Sequence, residues 1–332
     1  MNIGVIGAGS WGTSLANLLA KKGYSVILWA YEHHLVEQMF HNHENNLFLP
    51  GVILADNLHF SASLDDVAGC EVVLLVSPSQ VVRSVMEQAV HALRSDAIIV
   101  SASKGIENDT LLPMSDVLKE VLPVVLHDRL AFLSGPTFAK EVALEQPSAV
   151  VVSAENNEVC DKIQQIFNTT YFRVYTNNDV IGTELGGALK NVIALAAGVS
   201  DGLGYGYNTR AALITRGLAE IKKIGVAMGA KAETFAGLAG MGDLVLTCTG
   251  DLSRNRAVGI ELGKGRQLKE VIAEMSMVAE GVKTTLSTYQ LAAKLGVEVP
   301  IIAEMYALLY KGKDPRKAVV DLMQRELKSE YI

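Results

Sequence analysis

The first half of the chain alternates short apolar runs with longer segments whose apolar residues recur at helical spacing. The apolar runs are rich in Val and Ile and lack polar alternation, which is typical of parallel strands covered on both faces. This rhythm predicts a doubly wound βαβ sheet. The predicted strands are Ile3–Ile6, Val26–Trp29, Val72–Val76, Ala97–Ser101, Leu130–Leu133, Ala149–Val152 and Phe172–Tyr175.

Helical patterns fill the gaps between these strands and then take over the chain. Within the first half they cover Thr13–Lys22, Val81–Leu93 and Asn157–Phe167. From about Val180 the strand pattern stops, and helical periods dominate. Examples are Thr209–Met228, Lys283–Leu295 and Pro315–Leu327. We therefore predict a doubly wound α/β domain over residues 1–180, an all-α domain over 181–332, and a cleft between them.

Composition narrows the class of protein. Apolar residues make up 49% and charged residues 20% of the 332 positions, as in soluble globular proteins. The net charge of −7 argues against a nucleic-acid partner, whose phosphates require a basic surface. The three cysteines, Cys70, Cys160 and Cys248, fit neither a metal site nor a disulfide framework. Since we recognise no leader or membrane-spanning run, we expect a cytoplasmic protein without membrane insertion.

A glycine-rich turn follows the first predicted strand and opens a helix. Gly7, Gly9 and Gly12 form the pattern G-x-G-x-x-G, which suits a tight turn, close approach to a pyrophosphate and tight helix–strand packing. Free N–H groups at the helix start favour the negative charge. Glu32, 20 residues beyond Gly12, is placed to bind the ribose hydroxyls of NAD. Tyr31 stands beside it, without the arginine typical of an NADP site.

Hydride transfer from a nicotinamide cofactor to a ketone also requires a proton donor. No histidine in this sequence has a neighbouring residue that indicates this role. Lys190 is the better candidate, because its predicted helix is lined with small residues such as Gly186 and Gly187. Such a helix can approach a ligand closely, and the loss of solvation would lower the pKa of Lys190 towards neutrality. A solvent-exposed lysine on an amphipathic helix is the alternative interpretation.

Four further segments contribute candidate site residues. Ser101–Gly105 and Ser134–Phe138 follow strand ends, at the carboxyl edge of the sheet where α/β proteins bind ligands. Asp243 is flanked by Gly240 and Gly242, which suits close approach to a lysine. The run 253–255, Ser-Arg-Asn, opens a helix, where a serine cap and an arginine fork favour a phosphate. A plain helix cap with a surface arginine is the alternative.

Taken in order, these motifs resemble the NAD(P)-dependent glycerol-3-phosphate dehydrogenase family, specifically its bacterial biosynthetic type. The resemblance extends through nearly the whole chain. Its marks are Gly-Ala-Gly-Ser-Trp-Gly-Thr at 7–13, Ser-Lys-Gly-Ile-Glu at 103–107, Ser-Gly-Pro-Thr-Phe-Ala-Lys-Glu-Val-Ala at 134–143, Gly-Ala-Leu-Lys-Asn-Val at 187–192, Asp-Gly-Leu-Gly-Tyr-Gly-Tyr-Asn-Thr-Arg-Ala-Ala at 201–212, Gly-Met-Gly-Asp-Leu-Val-Leu-Thr-Cys at 240–248, Ser-Arg-Asn at 253–255 and Val-Ala-Glu-Gly at 278–281.

The resemblance implies a Rossmann domain, a homodimer, NAD or NADP as cofactor, no metal, and interconversion of dihydroxyacetone phosphate and sn-glycerol 3-phosphate for glycerophospholipid synthesis. It implies that Lys190 exchanges the proton and that Asp243 sets its charge, assisted by Lys104, Asn191 and Thr247. The implied substrate residues are Lys104, Gly135, Thr137, Lys190, Asp243, Ser253, Arg254 and Asn255. The implied cofactor residues are Gly7, Gly9, Ser10, Trp11, Gly12, Tyr31, Lys104, Ala139, Arg254, Val278 and Glu280.

Two other functions fit part of the pattern. A related two-domain dehydrogenase for a β-hydroxyacid or a sugar acid would select a carboxylate in place of a phosphate. A nicotinamide-binding redox sensor would change its oligomeric state without turnover. The combination of Lys190, Asp243 and Arg254 disfavours the sensor.

Overall fold

A computed structural model of the chain describes residues 1–274 and 279–330. Within them, one eight-stranded sheet has the spatial order β3-β2-β1-β4-β5-β6-β7-β8. The strands are β1 (Asn2–Ile6), β2 (Ser25–Trp29), β3 (Leu58–Ser61), β4 (Val72–Leu75), β5 (Ile98–Ser101), β6 (Leu130–Ser134), β7 (Ser148–Ser153) and β8 (Phe172–Asn177).

The predicted doubly wound sheet is confirmed, with two corrections. The strand β3 was missed, because His59 and Ser61 interrupt the apolar run of an edge strand that is not covered on both faces. All neighbouring strands are parallel except β6 and β7, which pair antiparallel. Only a five-residue helix, Ala139–Ala143, lies between these two strands, and it is too short to carry the chain back along the sheet.

Helices cover both faces of the sheet. They are α1 (Ser10–Lys21), α2 (His33–Asn42), α3 (Leu64–Ala68), α4 (Val82–Ala89), α5 (Met114–Val121), α6 (Ala139–Ala143) and α7 (Asn157–Phe167). The helix predicted over 157–167 is confirmed at both ends. The one predicted over 81–93 is wrong in extent, because 3₁₀ turns at Ser79–Val81 and Val90–Ala92 flank a shorter α-helix.

From Val180 onwards the described residues form helices joined by turns and loops, without a strand. These helices are α8 (Val180–Gly202), α9 (Tyr207–Ala227), α10 (Asp243–Thr249), α11 (Arg254–Gly263), α12 (Leu268–Ala273), α13 (Glu280–Leu295), α14 (Pro300–Lys311) and α15 (Pro315–Met323). The 3₁₀ turn Ala232–Ala236 and the π-helical turn Leu238–Gly242 precede α10. The last predicted helix ends at Met323 and not at Leu327. The domain boundary at residues 180/181 stays a prediction.

The helix α8 is the central element of this half. It is long and apolar enough to cross a bilayer by length and composition, yet 89% of its apolar window is buried inside the protein, as in the core helix of a soluble protein. Its glycines permit close packing. A Cβ on Gly198 would lie 2.1 Å from the carbonyl oxygen of Arg256, and one on Gly187 would lie 2.5 Å from Ser134 Oγ. The predicted close approach of this helix is therefore confirmed.

The strand order reverses between β1 and β4. From β1 the chain continues outwards to β2 and β3, and it then crosses to β4 on the other side of β1. The loops that leave the carboxyl ends of β1 and β4 therefore diverge, and they open a crevice where doubly wound proteins bind ligands.

Candidate active site

A cleft of about 1350 Å³ opens at this crevice. Its walls include the turn 7–12 after β1, residues 76–78 after β4, residues 102–104 after β5 and residues 137–140 after β6. Lys190 and Asn191 of α8, together with the start of α11, contribute the helical wall. The cleft exceeds the roughly 300–1,000 Å³ of a typical small-molecule pocket, so it has room for a dinucleotide beside a small substrate.

The glycine turn at one end of the cleft has the geometry that the pattern predicts. Gly7 has φ +118°, a conformation that L side chains rarely adopt. A Cβ on Gly12 would lie 1.9 Å from the carbonyl oxygen of Gly7, so only glycine fits there. A Cβ on Gly9 would meet no protein atom within 4 Å. Gly9 therefore leaves open space beside the start of α1, where unpaired N–H groups attract a negative charge.

A buried lysine–carboxylate pair adjoins the same cleft. Asp243, the first residue of α10, is fully buried, and its Oδ1 accepts a hydrogen bond from Lys190 Nζ. The second carboxylate oxygen, Oδ2, accepts from Lys104 Nζ at 2.6 Å. One carboxylate thus holds two ammonium groups, contributed by α8 and by the loop after β5. This is the arrangement that the Gly-flanked acid predicted.

The environment of Lys190 tunes its pKa. Burial lowers the pKa of Lys190 to about 8; the carboxylate of Asp243 opposes this change, and the positive charge of Lys104 adds to it. Lys190 Nζ also donates to Thr247 Oγ1 at 2.8 Å, one turn along α10. A pKa near neutrality lets the amine exchange a proton at physiological pH. The alternative of a solvent-exposed lysine is wrong, because Lys190 is only 6% exposed.

The neighbouring amides form a fixed group beside this pair. Asn255 Nδ2 donates to Asn191 Oδ1 at 2.9 Å, and Asn255 Oδ1 accepts from the backbone N–H of Gly281 at 2.9 Å. Both asparagines are buried and reach the cleft wall. They connect α8, α11 and the start of α13, so the three helices hold one surface together.

The start of α11 places the positively charged Arg254 on the wall of the cleft. Ser253 caps the helix by accepting from the backbone N–H of Arg256, which confirms the predicted cap. Arg254 is exposed and follows the cap directly. Burial raises the pKa of Glu280, and the charge of nearby Arg254 opposes this change. The plain-cap alternative with a surface arginine fits this geometry, and because Arg254 lies on the wall of the cleft, the phosphate interpretation fits it as well.

Most of the predicted site residues line this single cleft. They are Gly7, Gly9, Ser10, Trp11, Gly12, Tyr31, Lys104, Thr137, Ala139, Lys190, Asn191, Thr247, Ser253, Arg254, Asn255 and Glu280. Asp243 is absent from the wall, and its carboxylate accepts hydrogen bonds from Lys104 and Lys190, which line it. Gly135 is also absent from the wall, and its carbonyl accepts from Lys104 Nζ at 3.3 Å. Val278 lies outside the described residues.

Some wall residues were missed by the sequence analysis. Ser77 and Pro78 follow β4, and the strand-end rule that singled out Lys104 would have found them. Phe48 and Pro50 belong to the connection between α2 and β3, which carries no local motif. Phe138 lies beside the candidates Thr137 and Ala139. Among residues 1–274 and 279–330, no group of three or more His, Cys, Asp or Glu side chains is arranged to hold a metal ion.

The sequence of the chain matches two models of one protein family. Residues 2–160 match the N-terminal model, and residues 179–320 the C-terminal model, of NAD-dependent glycerol-3-phosphate dehydrogenase. The chain belongs to this family. It is therefore an NAD(P)-dependent oxidoreductase, and the predicted family is confirmed.

Individual relatives agree with this membership. The chain is 64% identical over 331 residues to a glycerol-3-phosphate dehydrogenase [NAD(P)+] of Syntrophotalea carbinolica, covering 99% of each chain. It is 63% identical to the enzyme of that name from Citrifermentans bemidjiense, again over 99% of each. The crystal structure of glycerol-3-phosphate dehydrogenase from Coxiella burnetii superposes with a TM-score of 0.92 at 39% identity, covering 98% of this chain and 99% of that one.

Proposed function

We propose that this glycerol-3-phosphate dehydrogenase reversibly reduces dihydroxyacetone phosphate to sn-glycerol 3-phosphate with NADH or NADPH and supplies glycerophospholipid synthesis. The observation that carries the proposal is the buried Lys190–Asp243 pair, which shares one cleft with the glycine turn and with Arg254. A proton donor, a dinucleotide turn and a cation for a phosphate are the three parts that this reaction requires. The names of the close relatives support the same substrate.

The residues at the glycine end fit a dinucleotide. The open space at Gly9 and the unpaired N–H groups at the start of α1 suit a pyrophosphate. Trp11, Tyr31 and Ala139 line the same part of the cleft. The nicotinamide, when bound, supplies the hydride for the carbonyl carbon. The protein's task is therefore to hold the ketone, exclude water and provide the proton.

Lys190 provides that proton in the proposed mechanism. Its ammonium form donates a hydrogen bond to the carbonyl oxygen of the substrate, stabilises the negative charge that develops there, and transfers the proton to it. Asp243 orients the amine and favours its charged form, while Thr247 fixes it from the side. In the reverse reaction the neutral amine removes the proton from the hydroxyl group. A pKa of about 8 makes both forms accessible near neutral pH.

The phosphate of the substrate is assigned to the start of α11. Arg254 offers a fork of N–H donors beside the positive end of the helix dipole. Ser253 and Asn255 flank it on the cleft wall, and Thr137 lines the cleft after β6. A hydroxyacid dehydrogenase would direct a carboxylate to this end, so the choice between the two substrates depends on this region.

The assay follows the loss of nicotinamide absorbance with dihydroxyacetone phosphate, comparing NADH with NADPH. Rapid oxidation that is inhibited competitively by inorganic phosphate and by sn-glycerol 3-phosphate, but not by hydroxyacids, is the expected result. If folded protein that binds the dinucleotide oxidises it only with a keto acid, the substrate assignment is wrong.

Lys190→Met tests the mechanism while preserving the packing volume. We expect kcat to fall by at least about 10³-fold, because both the acid and its charge are lost. The fold should persist, since Asp243 remains paired with Lys104. Dinucleotide affinity measured by fluorescence titration should change by less than about threefold, because the hydrogen bonds of Lys190 go to Asp243 and Thr247 and not to the glycine turn. A kcat near that of the wild type would exclude Lys190 as the proton donor.

We further propose a cytoplasmic homodimer with no nucleic-acid partner and no membrane insertion. The net charge of −7 argues against a nucleic-acid partner, and the burial of α8 inside the protein argues against membrane insertion; the homodimer and the location rest on the family resemblance. Light scattering coupled to size-exclusion chromatography should give about twice the mass of the 35.6 kDa chain. A monomeric mass over the working concentration range would contradict the dimer.

A further inference from the structure

Asn45 is a buried polar residue outside every motif that the function uses. It lies in the connection between α2 and β3, 32 residues beyond Thr13 in sequence. Its side chain is fully buried, with a relative exposure of 0%. Buried amides are normally retained only where their hydrogen bonds are satisfied, so the partners of Asn45 indicate its role.

The side-chain amide of Asn45 bonds to the backbone of two cleft-lining residues, Ala8 and Phe48, and to the side chain of Thr13. Nδ2 donates to the carbonyl oxygen of Ala8 at 2.8 Å and to Thr13 Oγ1 at 2.8 Å. Thr13 Oγ1 in turn donates to the same Ala8 carbonyl at 3.2 Å. Asn45 thus holds the backbone carbonyl of Ala8, the second residue of the glycine turn.

The geometry of the peptide unit between Ala8 and Gly9 determines the direction of the Gly9 N–H. The peptide bond between Ala8 and Gly9 is trans, so its C=O and N–H point in opposite directions. The carbonyl points into the protein towards Asn45, and the N–H of Gly9 therefore points away from it. No acceptor among the described residues pairs with this N–H, and the backbone at Ala8 and Gly9 lines the cleft.

The other side of the amide holds a second part of the wall. Asn45 Oδ1 accepts from the backbone N–H of Phe48 at 3.0 Å. The residues Phe48, Leu49 and Pro50 line the same cleft as the glycine turn, and Leu49 belongs to a small apolar cluster against which Ala139 packs. One amide therefore ties the glycine turn to a second cleft-lining segment, residues 48–50.

We propose that Asn45 is a positioning residue for the dinucleotide: it orients the Gly9 N–H towards the pyrophosphate and fixes residues 48–50 relative to the glycine turn. The inference rests on the proposed function only in so far as a nicotinamide dinucleotide binds at this end. It does not depend on which substrate is reduced. Asn45 contacts neither ligand directly and acts through the backbone of Ala8 and Phe48.

The test measures dinucleotide binding without substrate, by titrating NADH and NADPH and following tryptophan fluorescence. Asn45→Ala should raise the Kd of the preferred dinucleotide about tenfold, because the hydrogen bonds that fix the cleft-lining backbone at Ala8 and Phe48 are both lost. The kcat at saturating dinucleotide should fall by less than about threefold, because the reacting end is unchanged.

Asn17→Ala is the matched control. Asn17 is equally buried, at 1% exposure, and its Oδ1 accepts from the backbone N–H of Ala55 at 2.8 Å. It therefore ties the same connection to α1 without contacting the glycine turn. We expect similar thermal destabilisation in both variants but a Kd within about twofold of the wild type for Asn17→Ala. An equal rise in Kd in both variants would reduce Asn45 to a structural residue and overturn the proposal.

A second variant covers the case in which Asn45→Ala fails to fold. Thr13→Val preserves shape and neutrality but removes both an acceptor of Asn45 Nδ2 and the other donor to the Ala8 carbonyl. We expect a rise in Kd of about threefold, and no change would overturn the proposal. If the wild-type protein binds the dinucleotide but does not reduce dihydroxyacetone phosphate, the proposed substrate fails while Asn45 keeps its role. If it binds neither dinucleotide, both proposals fail.

Discussion

The substitution Asp243→Asn separates the charge of the buried carboxylate from its shape. In the wild type this one carboxylate faces two ammonium groups, those of Lys190 and Lys104, whose side chains are only 8% and 16% exposed. The variant keeps the size of the side chain and one acceptor oxygen, but it leaves two neighbouring cations without a counter-charge. The charged form of Lys190 then becomes less favourable, and its pKa falls below the wild-type value of about 8.

The size of the effect follows from the geometry. Two opposite charges about 3 Å apart interact by about 5 kcal/mol at an effective dielectric of 20, an upper bound because the amide oxygen retains part of the attraction. Removal of an adjacent opposite charge typically changes a pKa by about 1–3. With a decrease of about 2, the protonated fraction of Lys190 at pH 7.5 falls about 25-fold. The kcat for ketone reduction should fall in the same proportion.

The assay is the pH dependence of kcat for reduction, from pH 5.5 to 9.5. Since reduction requires protonated Lys190, the wild-type rate should decrease as the pH rises through about 8. In Asp243→Asn the decrease should begin about 2 pH units lower, and activity should recover in acid. Glu220→Gln is the control. Glu220 is also buried, but it accepts from the backbone N–H groups of Ile301 and Ile302, away from Lys190. A decrease near pH 8 in all three proteins would refute the coupling between Asp243 and Lys190.

Three further predictions concern the same cleft. Oxidation of sn-glycerol 3-phosphate needs the neutral amine, so its kcat should rise as the pH increases through about 8, opposite to the reduction profile; parallel profiles in the two directions would contradict Lys190 as the shared acid and base. Gly9→Ala should keep the melting temperature, because the added Cβ meets no protein atom, but it should weaken dinucleotide binding by at least about tenfold, because the Cβ occupies the open space of the cleft. Gly12→Ala should lower both the melting temperature and the dinucleotide affinity, because its Cβ would lie 1.9 Å from the Gly7 carbonyl oxygen. Calorimetry and titration distinguish these outcomes. Tyr31→Arg, at an exposed position on the cleft wall, should raise the ratio of kcat/KM for NADPH over NADH by about tenfold, and an unchanged ratio would remove this position from cofactor selection.

Local features of the sequence were enough for much of the sheet and for the glycine turn. The six inner strands, β1, β2 and β4 to β7, are mostly continuous apolar runs, because strands buried on both faces have few polar positions to alternate, whereas the edge strand β8 alternates buried and exposed residues. The turn at 7–12 and the cap at Ser253 are likewise encoded within a few residues. The helix predicted over 157–167 agrees at both ends, and Asn156 caps it by accepting from two backbone N–H groups.

The strand β3 and the direction of β7 were not predictable in the same way. An edge strand such as β3 resembles a loop in composition, since one of its sides has no neighbouring strand to cover it. The antiparallel pairing of β7 depends on how a short connection crosses the sheet, and the apolar pattern of a strand contains no direction.

The chemistry of the site depended most on the tertiary structure. The sequence indicated Lys190, Asp243 and Lys104 as separate candidates. Lys190 lies 53 residues and Lys104 139 residues from Asp243 along the chain, so they meet only when α8, α10 and the loop after β5 pack together. The lowered pKa of Lys190 results from desolvation by those remote segments, and no local pattern contains it. Asn45 shows the same limit, because its role follows from a contact with Ala8 across the fold. The sequence by itself determined which backbone conformations and which reactive groups were available. Only the tertiary structure decided which groups lie within hydrogen-bonding distance of one another, and thus how they are charged.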